Sequence, residues 1–113
     1  MMGGILDDDA NYGLDQSAVA DVVNTAGVQG TVSVTTSAIE AKVGALKLVN
    51  RKLLTVFNDG SASVYWGYTN AVTAANGTPI FKSQIHSWDI GDSLSIWLIA
   101  AAGTHTCRVT EAS

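Results

Sequence analysis

In this chain of 113 residues, the side chains best suited to chemistry are two histidines, one cysteine and a run of aspartates. Their spacing decides what they can do. Asp7, Asp8 and Asp9 lead into Ala10-Asn11-Tyr12-Gly13, so Asp7, Asp9 and Asn11 fall at alternate positions, as the oxygen ligands of a calcium loop do. Such a loop also needs glycine at its sixth position and a bidentate glutamate at its twelfth. Those positions here hold Tyr12 and Ala18, and the stretch reads as a solvated acidic loop. His105 and Cys107 lie two apart on an expected strand, which puts both on one face but about 6.5–7 Å apart at Cα. That is too long for a direct nucleophile–base hydrogen bond. With His86 they make two imidazoles and one thiol, without the paired spacing of a zinc site. The sequence holds no Gly-x-Ser-x-Gly elbow and no phosphate-binding glycine loop. The histidines read as surface residues and Cys107 as a small buried hydrophobe. No catalytic, metal or cofactor site is expected. Trp66 and Trp88 raise the alternative of stacking on a carbohydrate, but both lie in alternating strands, where a core aromatic is the better reading.

The elements that would position these residues begin with the stretch Arg51 to Phe81. Leu53, Thr55 and Phe57 alternate with Leu54 and Val56; Asn58-Asp59-Gly60 interrupts; Ser61 to Tyr68 then resumes the period of two. Asp-Gly favours a type I′ turn, because Gly adopts positive φ freely and Asp tolerates it, so the two runs read as a hairpin. Val64, Trp66 and Tyr68 would share one face. Around this nucleus, Thr31–Thr36, Ile39–Val43, Ala71–Ala74, Thr78–Lys82, Gln84–Ile90, Ser93–Ala102 and Thr104–Glu111 show strand-like alternation or flank turn signals such as Asn76-Gly77 and Gly91-Asp92. Roughly eight short strands at close spacing are the pattern of an all-β protein, an antiparallel β-sandwich of jelly-roll type. Val56, Val64, Trp66, Ile96 and Leu98 are its expected core.

Residues 1–30 do not share that pattern. Gly3-Gly4, the aspartate triplet and Gly13 break it, and only a short helix over Gln16–Asn24, capped by Asp15, is suggested. This segment carries five aspartates and no Lys or Arg, whereas residues 31–113 sum to +1, giving the chain its net charge of −4. We expect an acidic N-terminal arm over 1–30 and a sandwich domain over 31–113. The charge pattern argues against nucleic acid as a partner, since binding it needs a basic surface. No apolar run is long enough for a membrane helix, and the start lacks the basic and apolar regions of a secretory signal. A single cysteine excludes an internal disulfide framework. Charged residues make up only 14% of the chain. That suits either a low-charge β domain or a subunit that covers much of its surface with neighbours.

From about Ala38 onward the chain resembles a family of small bacteriophage virion proteins. The resemblance rests on Ile39-Glu40-Ala41-Lys42-Val43-Gly44, Asn50-Arg51-Lys52-Leu53-Leu54, Val64-Tyr65-Trp66-Gly67, and Val72-Thr73 followed by Asn76-Gly77. It continues through Leu98-Ile99-Ala100-Ala101-Ala102-Gly103-Thr104 and Arg108-Val109-Thr110-Glu111. It implies a non-enzymatic β-sandwich that decorates phage particles, on the capsid as a cement protein or as a fibre or tail accessory. The acidic arm has no counterpart in it. The expected partner is then the major capsid protein or another virion protein, and the expected location is the virion, assembled in the host cytoplasm.

Two surfaces are candidate contacts. In the arm, Ile5, Leu6, Tyr12, Leu14, Val19, Val22 and Val23 offer apolar anchors beside the charges of Asp7, Asp8 and Asp9. In the domain, Leu94, Ile96, Trp97, Leu98 and Ile99 belong to a run apolar on both faces, which sits centrally in a sheet or at a subunit contact. That run motivates an expected homo-oligomer, a trimer before a dimer, through closed symmetry.

Overall fold

Eight strands pair as nested brackets, the first with the last and each inner pair in turn. The computed structural model describes residues 24–113. Its strands are β1 (Gly27–Val34), β2 (Ile39–Glu40), β3 (Leu53–Asn58), β4 (Val64–Gly67), β5 (Thr78–Ile80), β6 (Ile85–Trp88), β7 (Trp97–Ala100) and β8 (His105–Ala112). β1 pairs with β8, β2 with β7, β3 with β6 and β4 with β5, all antiparallel. Rolling this long double ribbon adds the pairs β3–β8 and β4–β7. Two four-stranded sheets result, β1-β8-β3-β6 and β2-β7-β4-β5. That strand order is a jelly roll, the all-β sandwich expected from the alternation.

The core lies between the sheets and is built from inward positions of every long strand. In β8 the inward set is His105, Cys107, Val109 and Glu111, alternating with exposed Thr106, Arg108 and Thr110. In β3 it is Leu54, Val56 and Asn58. Val32 and Val34 from β1, Val64 from β4, Ile80 from β5, Trp88 from β6, and Ile96, Leu98 and Ala100 around β7 join it, with Ala41 after β2. Each buried Val or Leu contributes about 1.5–3 kcal/mol of apolar burial. Of the expected core residues, Val56, Val64, Ile96 and Leu98 are fully buried, whereas Trp66 is half-buried against the cluster.

The expected Leu53–Tyr68 hairpin does not form. β3 and β4 lie in different sheets, and the link between them crosses the sandwich. Asn58 steers that crossing. Its buried side chain donates from Nδ2 to the carbonyls of Ala62 and Ile80, both at 2.9 Å, and its Oδ1 accepts from Gly60 N. Neither Asp59 nor Gly60 has positive φ, so the type I′ turn is absent too. Gly60 is needed for space instead: a Cβ there would lie 2.5 Å from Cβ of His105.

Strand limits also shift. β1 begins at Gly27, so residues 27–30 belong to the sandwich rather than the arm. Its two glycines and Gln29 hid the strand; a Cβ on Gly30 would press on Val43 at 3.0 Å. Ile39–Val43 shortens to two residues, because Val43 leaves the sheet and its amide bonds Glu111. Ala71–Ala74 is turn rather than strand, closed by Gly77 N to Thr73 O and by Asn76 Oδ1 accepting from Thr73 N.

The links fall at two ends. Residues 35–38, 59–63, 81–84 and 101–104 lie at one end. At the other lie the longer links 41–52, 68–77 and 89–96, together with residues 24–26 and Ser113.

Candidate functional site

His105 and Cys107 meet the first test of reactivity and fail it. Both point inward from β8 and are buried. His105 is therefore a core residue, not the surface histidine expected; its ring packs on Gly60 and its Nε2 lies 3.0 Å from the Ala102 carbonyl. Burial, and then the nearby Asp59 carboxylate, pushes the Cys107 thiol up to about 11, so it stays protonated at neutral pH. A protonated, enclosed thiol is a poor nucleophile and a poor ligand. His86 is exposed on β6 and stacks against Trp88 instead of approaching either residue. Among the described residues no three His, Cys, Asp or Glu side chains gather closely enough to hold a metal.

Among the described residues, the one fully buried charged pair is Arg51 with Glu111. Both side chains are 0% exposed and their Nη1–Oε2 distance is 2.8 Å. Each also bonds to backbone groups of the neighbouring links. Glu111 Oε1 accepts from Val43 N at 3.1 Å, and Oε2 from Leu48 N at 3.3 Å. Arg51 donates from Nε and Nη2 to the Gly91 carbonyl, and from Nη2 to the Leu94 carbonyl at 2.7 Å. The pair thus ties links 41–52 and 89–96 to β8. Asn50, held at φ 59°, adds an amide bond to Asp92 Oδ2 across the same two links. The unit is closed to solvent, with both side chains at 0% exposure, so it offers a ligand no approach.

Glu40 sits outside it on β2. Burial raises its pKa, but hydrogen bonds from Ser95 and Lys47 and the charges of Lys47 and Lys42 outweigh that and hold it below the ordinary value. Lys47 Nζ contacts both Glu40 Oε2 and Ser95 Oγ at 3.1 Å. This cluster again joins β2 to the link after it.

An aromatic cluster spans the two sheets at the long-link end. Trp66 lies edge-to-face on Trp88 (centroids 5.1 Å apart, 84° between planes) and on Tyr68 (5.4 Å, 84°). His86 fills the angle between the two indoles. Trp88 is 7% exposed and is a core residue, as expected. The indole N–H groups of Trp66 and Trp88 are buried without an oxygen or nitrogen partner among the described residues. Edge-to-face packing offers such groups an aromatic face instead. Tyr68, 56% exposed, stands over a shallow groove of about 350 Å³ whose polar margin is Thr69, Asn76 and Thr78.

The candidate contact residues divide. Ile96 and Leu98 point into the core at 0% exposure and are closed to any neighbour. β7 lies between β2 and β4, so the run apolar on both faces takes the central place in its sheet. Trp97 and Ile99 are half-buried on its outer face, and Leu94 is exposed in the link before it. The arm residues Ile5, Leu6, Asp7, Asp8, Asp9, Tyr12, Leu14, Val19, Val22 and Val23, and nearly all of the expected Gln16–Asn24 helix, lie outside the described residues. Sequence reasoning missed Arg51 and Glu111. The signal was present, since Glu111 is the next inward position after His105, Cys107 and Val109.

The fold and its buried groups define an eight-stranded jelly roll whose inward polar residues hold links in place. No known family description matches the sequence, and no curated protein matches it. Among solved structures, a chain described under "Bacillus endospore appendages form a novel family of disulfide-linked pili" is similar with a TM-score of 0.39 and 13% identity. The match covers 80% of this chain and 90% of that one.

Proposed function

We propose that this chain is a non-enzymatic structural protein of a bacteriophage particle, a capsid decoration or cement protein bound in many copies. One observation supports the non-enzymatic part above others. The inward-facing polar groups Arg51, Glu111 and Asn58 are each engaged by backbone groups of the links beside them. Active sites leave convergent groups free for substrate, and no such set is present among the described residues. The virion setting rests on the segments of resemblance from Ile39 to Glu111. The partner is then the major capsid protein, with a fibre or tail accessory role as the alternative within the same setting. Quantifying the chain in purified particles tests placement. Copy number on the order of hundreds supports capsid decoration, about a dozen or fewer supports tail or fibre, and absence from the particle defeats both.

One feature favours a second reading, carbohydrate binding. Tyr68 presents an open ring edge-on to Trp66 above a groove with hydroxyl and amide margins, a geometry suited to a sugar face. The test is a glycan array with Tyr68→Ala. Tyr68 is exposed, so its truncation spares the fold, unlike Trp88. A signal lost in Tyr68→Ala supports the reading; no signal in the wild type ends it.

A further inference from the structure

We propose that the free edge of β1 pairs with β1 of a second copy of this chain, joining two sandwiches through one continuous sheet. The backbone groups of β1 divide between its two sides. Ser113 N donates to Ala26 O at 2.9 Å and Ala26 N reaches back to Ser113 O at 3.4 Å, a reciprocal pair. In an antiparallel ladder reciprocal pairs recur at every second residue. With the register Val28↔Glu111, Gly30↔Val109, Val32↔Cys107 and Val34↔His105, the even positions of β1 bond to β8. Gly27, Gln29, Thr31 and Ser33 therefore direct their N–H and C=O groups away from the sheet. Asp59 N bonding Thr106 O fixes the opposite phase on the β3 side of β8, as this alternation requires.

Natural sheets guard such edges with brevity, charge or proline. Three of the four edges here are guarded. β2 is two residues long, β5 carries Pro79 in a strand of three, and β6 has only four residues. β1 has eight residues, Gly27-Val28-Gln29-Gly30-Thr31-Val32-Ser33-Val34, with neither proline nor any charge. A groove of about 440 Å³ lies along it, lined by Thr31, Val32 and Ser33 on one side and Ile39, Glu40 and Trp97 on the other. Among the described residues no strand occupies this edge.

The occupant is a second copy because the strand complements itself. A two-fold axis at Gly30 sets Gln29 opposite Thr31 and Gly27 opposite Ser33, so all four outward positions meet outward positions. Such pairing forms about eight backbone hydrogen bonds. A self-paired strand brings each charge near its own copy, and β1 has none to repel. On the inner face the same register sets Val28, 39% exposed, beside Val32 of the second copy. The contact is isologous and closes after two copies. The trimer expected from the sequence drew on Leu94–Ala102, whose inner residues the core already uses. This inference stands apart from the virion reading: a dimer that never binds a capsid leaves it intact.

The test uses the full chain. Sedimentation equilibrium over rising concentration should reach twice the chain mass of 11.7 kDa. Thr31→Pro removes one outward N–H and spares the β8 ladder, so it should return the mass to 11.7 kDa with an unchanged circular dichroism spectrum. Mixing Gln29→Cys chains with Thr31→Cys chains should give a disulfide between the two under mild oxidation, since facing Cα atoms about 5.5 Å apart suit one. Buried Cys107 stays out of that reaction. A monomer at every concentration overturns the proposal, as does any oligomer that survives Thr31→Pro and forms no 29–31 cross-link. If Thr31→Pro fails to fold, Thr31→Lys and the cross-link decide in the same way.

Discussion

Replacing Arg51 and Glu111, singly and together, separates an ion pair that packs from one that organises. In Arg51→Met the chain of methylenes stays filled, but Glu111 keeps a carboxylate without its contacting cation, and the Gly91 and Leu94 carbonyls lose their donor. Removing one partner of a buried pair costs about 3–5 kcal/mol. Glu111→Leu strands the guanidinium and the amides of Val43 and Leu48, with a similar expected cost. The double variant is the informative one. Where a buried pair serves only itself, replacing both partners by apolar residues is neutral or stabilising. Here the Val43 and Leu48 amides and the Gly91 and Leu94 carbonyls all depend on the pair. Each loses about 1–3 kcal/mol when unsatisfied, less whatever water recovers at the links. We expect a net loss of roughly 3–5 kcal/mol for the double variant, a large share of the about 5–15 kcal/mol of a typical domain. Urea unfolding followed by tryptophan fluorescence measures it, with the m-value checked for constancy. Hydrogen exchange should speed up at Val43 and Leu48 first. A double variant within about 1 kcal/mol of wild type would refute the reasoning, because the links would then hold without the pair.

Asn58→Ala should destabilise by about 2–4 kcal/mol in the same urea assay, since it frees the Ala62 and Ile80 carbonyls and the Gly60 amide at once. Gly60→Ala should cost about 1–3 kcal/mol through overpacking on His105. Combined with His105→Gly, which removes the crowding Cβ, the loss should fall short of the sum of the two, and simple additivity would argue against the contact. For Cys107, burial and Asp59 raise the folded thiol from 9.0 to about 11. A raised acid leaves stability whole below the unfolded value and erodes it as pH rises toward the folded one. Between those two values the wild type should lose about 2–3 kcal/mol relative to Cys107→Ala; parallel curves for the two proteins would contradict it.

Much of this sandwich was legible because a strand with one buried face writes its orientation into every second residue. Thr104–Glu111 is the clearest case, and reading its alternation one residue further would have located Glu111. Partnership was less legible. Asn58-Asp59-Gly60 looks the same whether the chain turns back on itself or crosses to the opposite sheet, and only the far-off carbonyl of Ile80 reveals which. Gly60 was read for its backbone freedom, while its actual constraint comes from His105, which is distant in sequence. The start of β1 stayed hidden because Gly27, Gln29 and Gly30 carry little apolar signal on a strand whose outer face meets solvent. The contact run Leu94–Ile99 showed the limit of periodicity: it identified a strand apolar on both faces without saying that Ile96 and Leu98 were already enclosed.

Nested pairing has a mechanical consequence. Residue 26 and residue 113 lie side by side at one end of the β1–β8 ladder. A force pulling these two positions apart would load the ladder bonds one after another, as a zipper is opened. A force between residue 26 and the 101–104 link at the far end would instead load the bonds of β1 together, in shear. Collective rupture needs the greater force. The same domain is therefore weak or strong according to where it is held. Tethered near residue 26 and dragged through its opposite end, it resists as a block; gripped at 26 and 113, it peels.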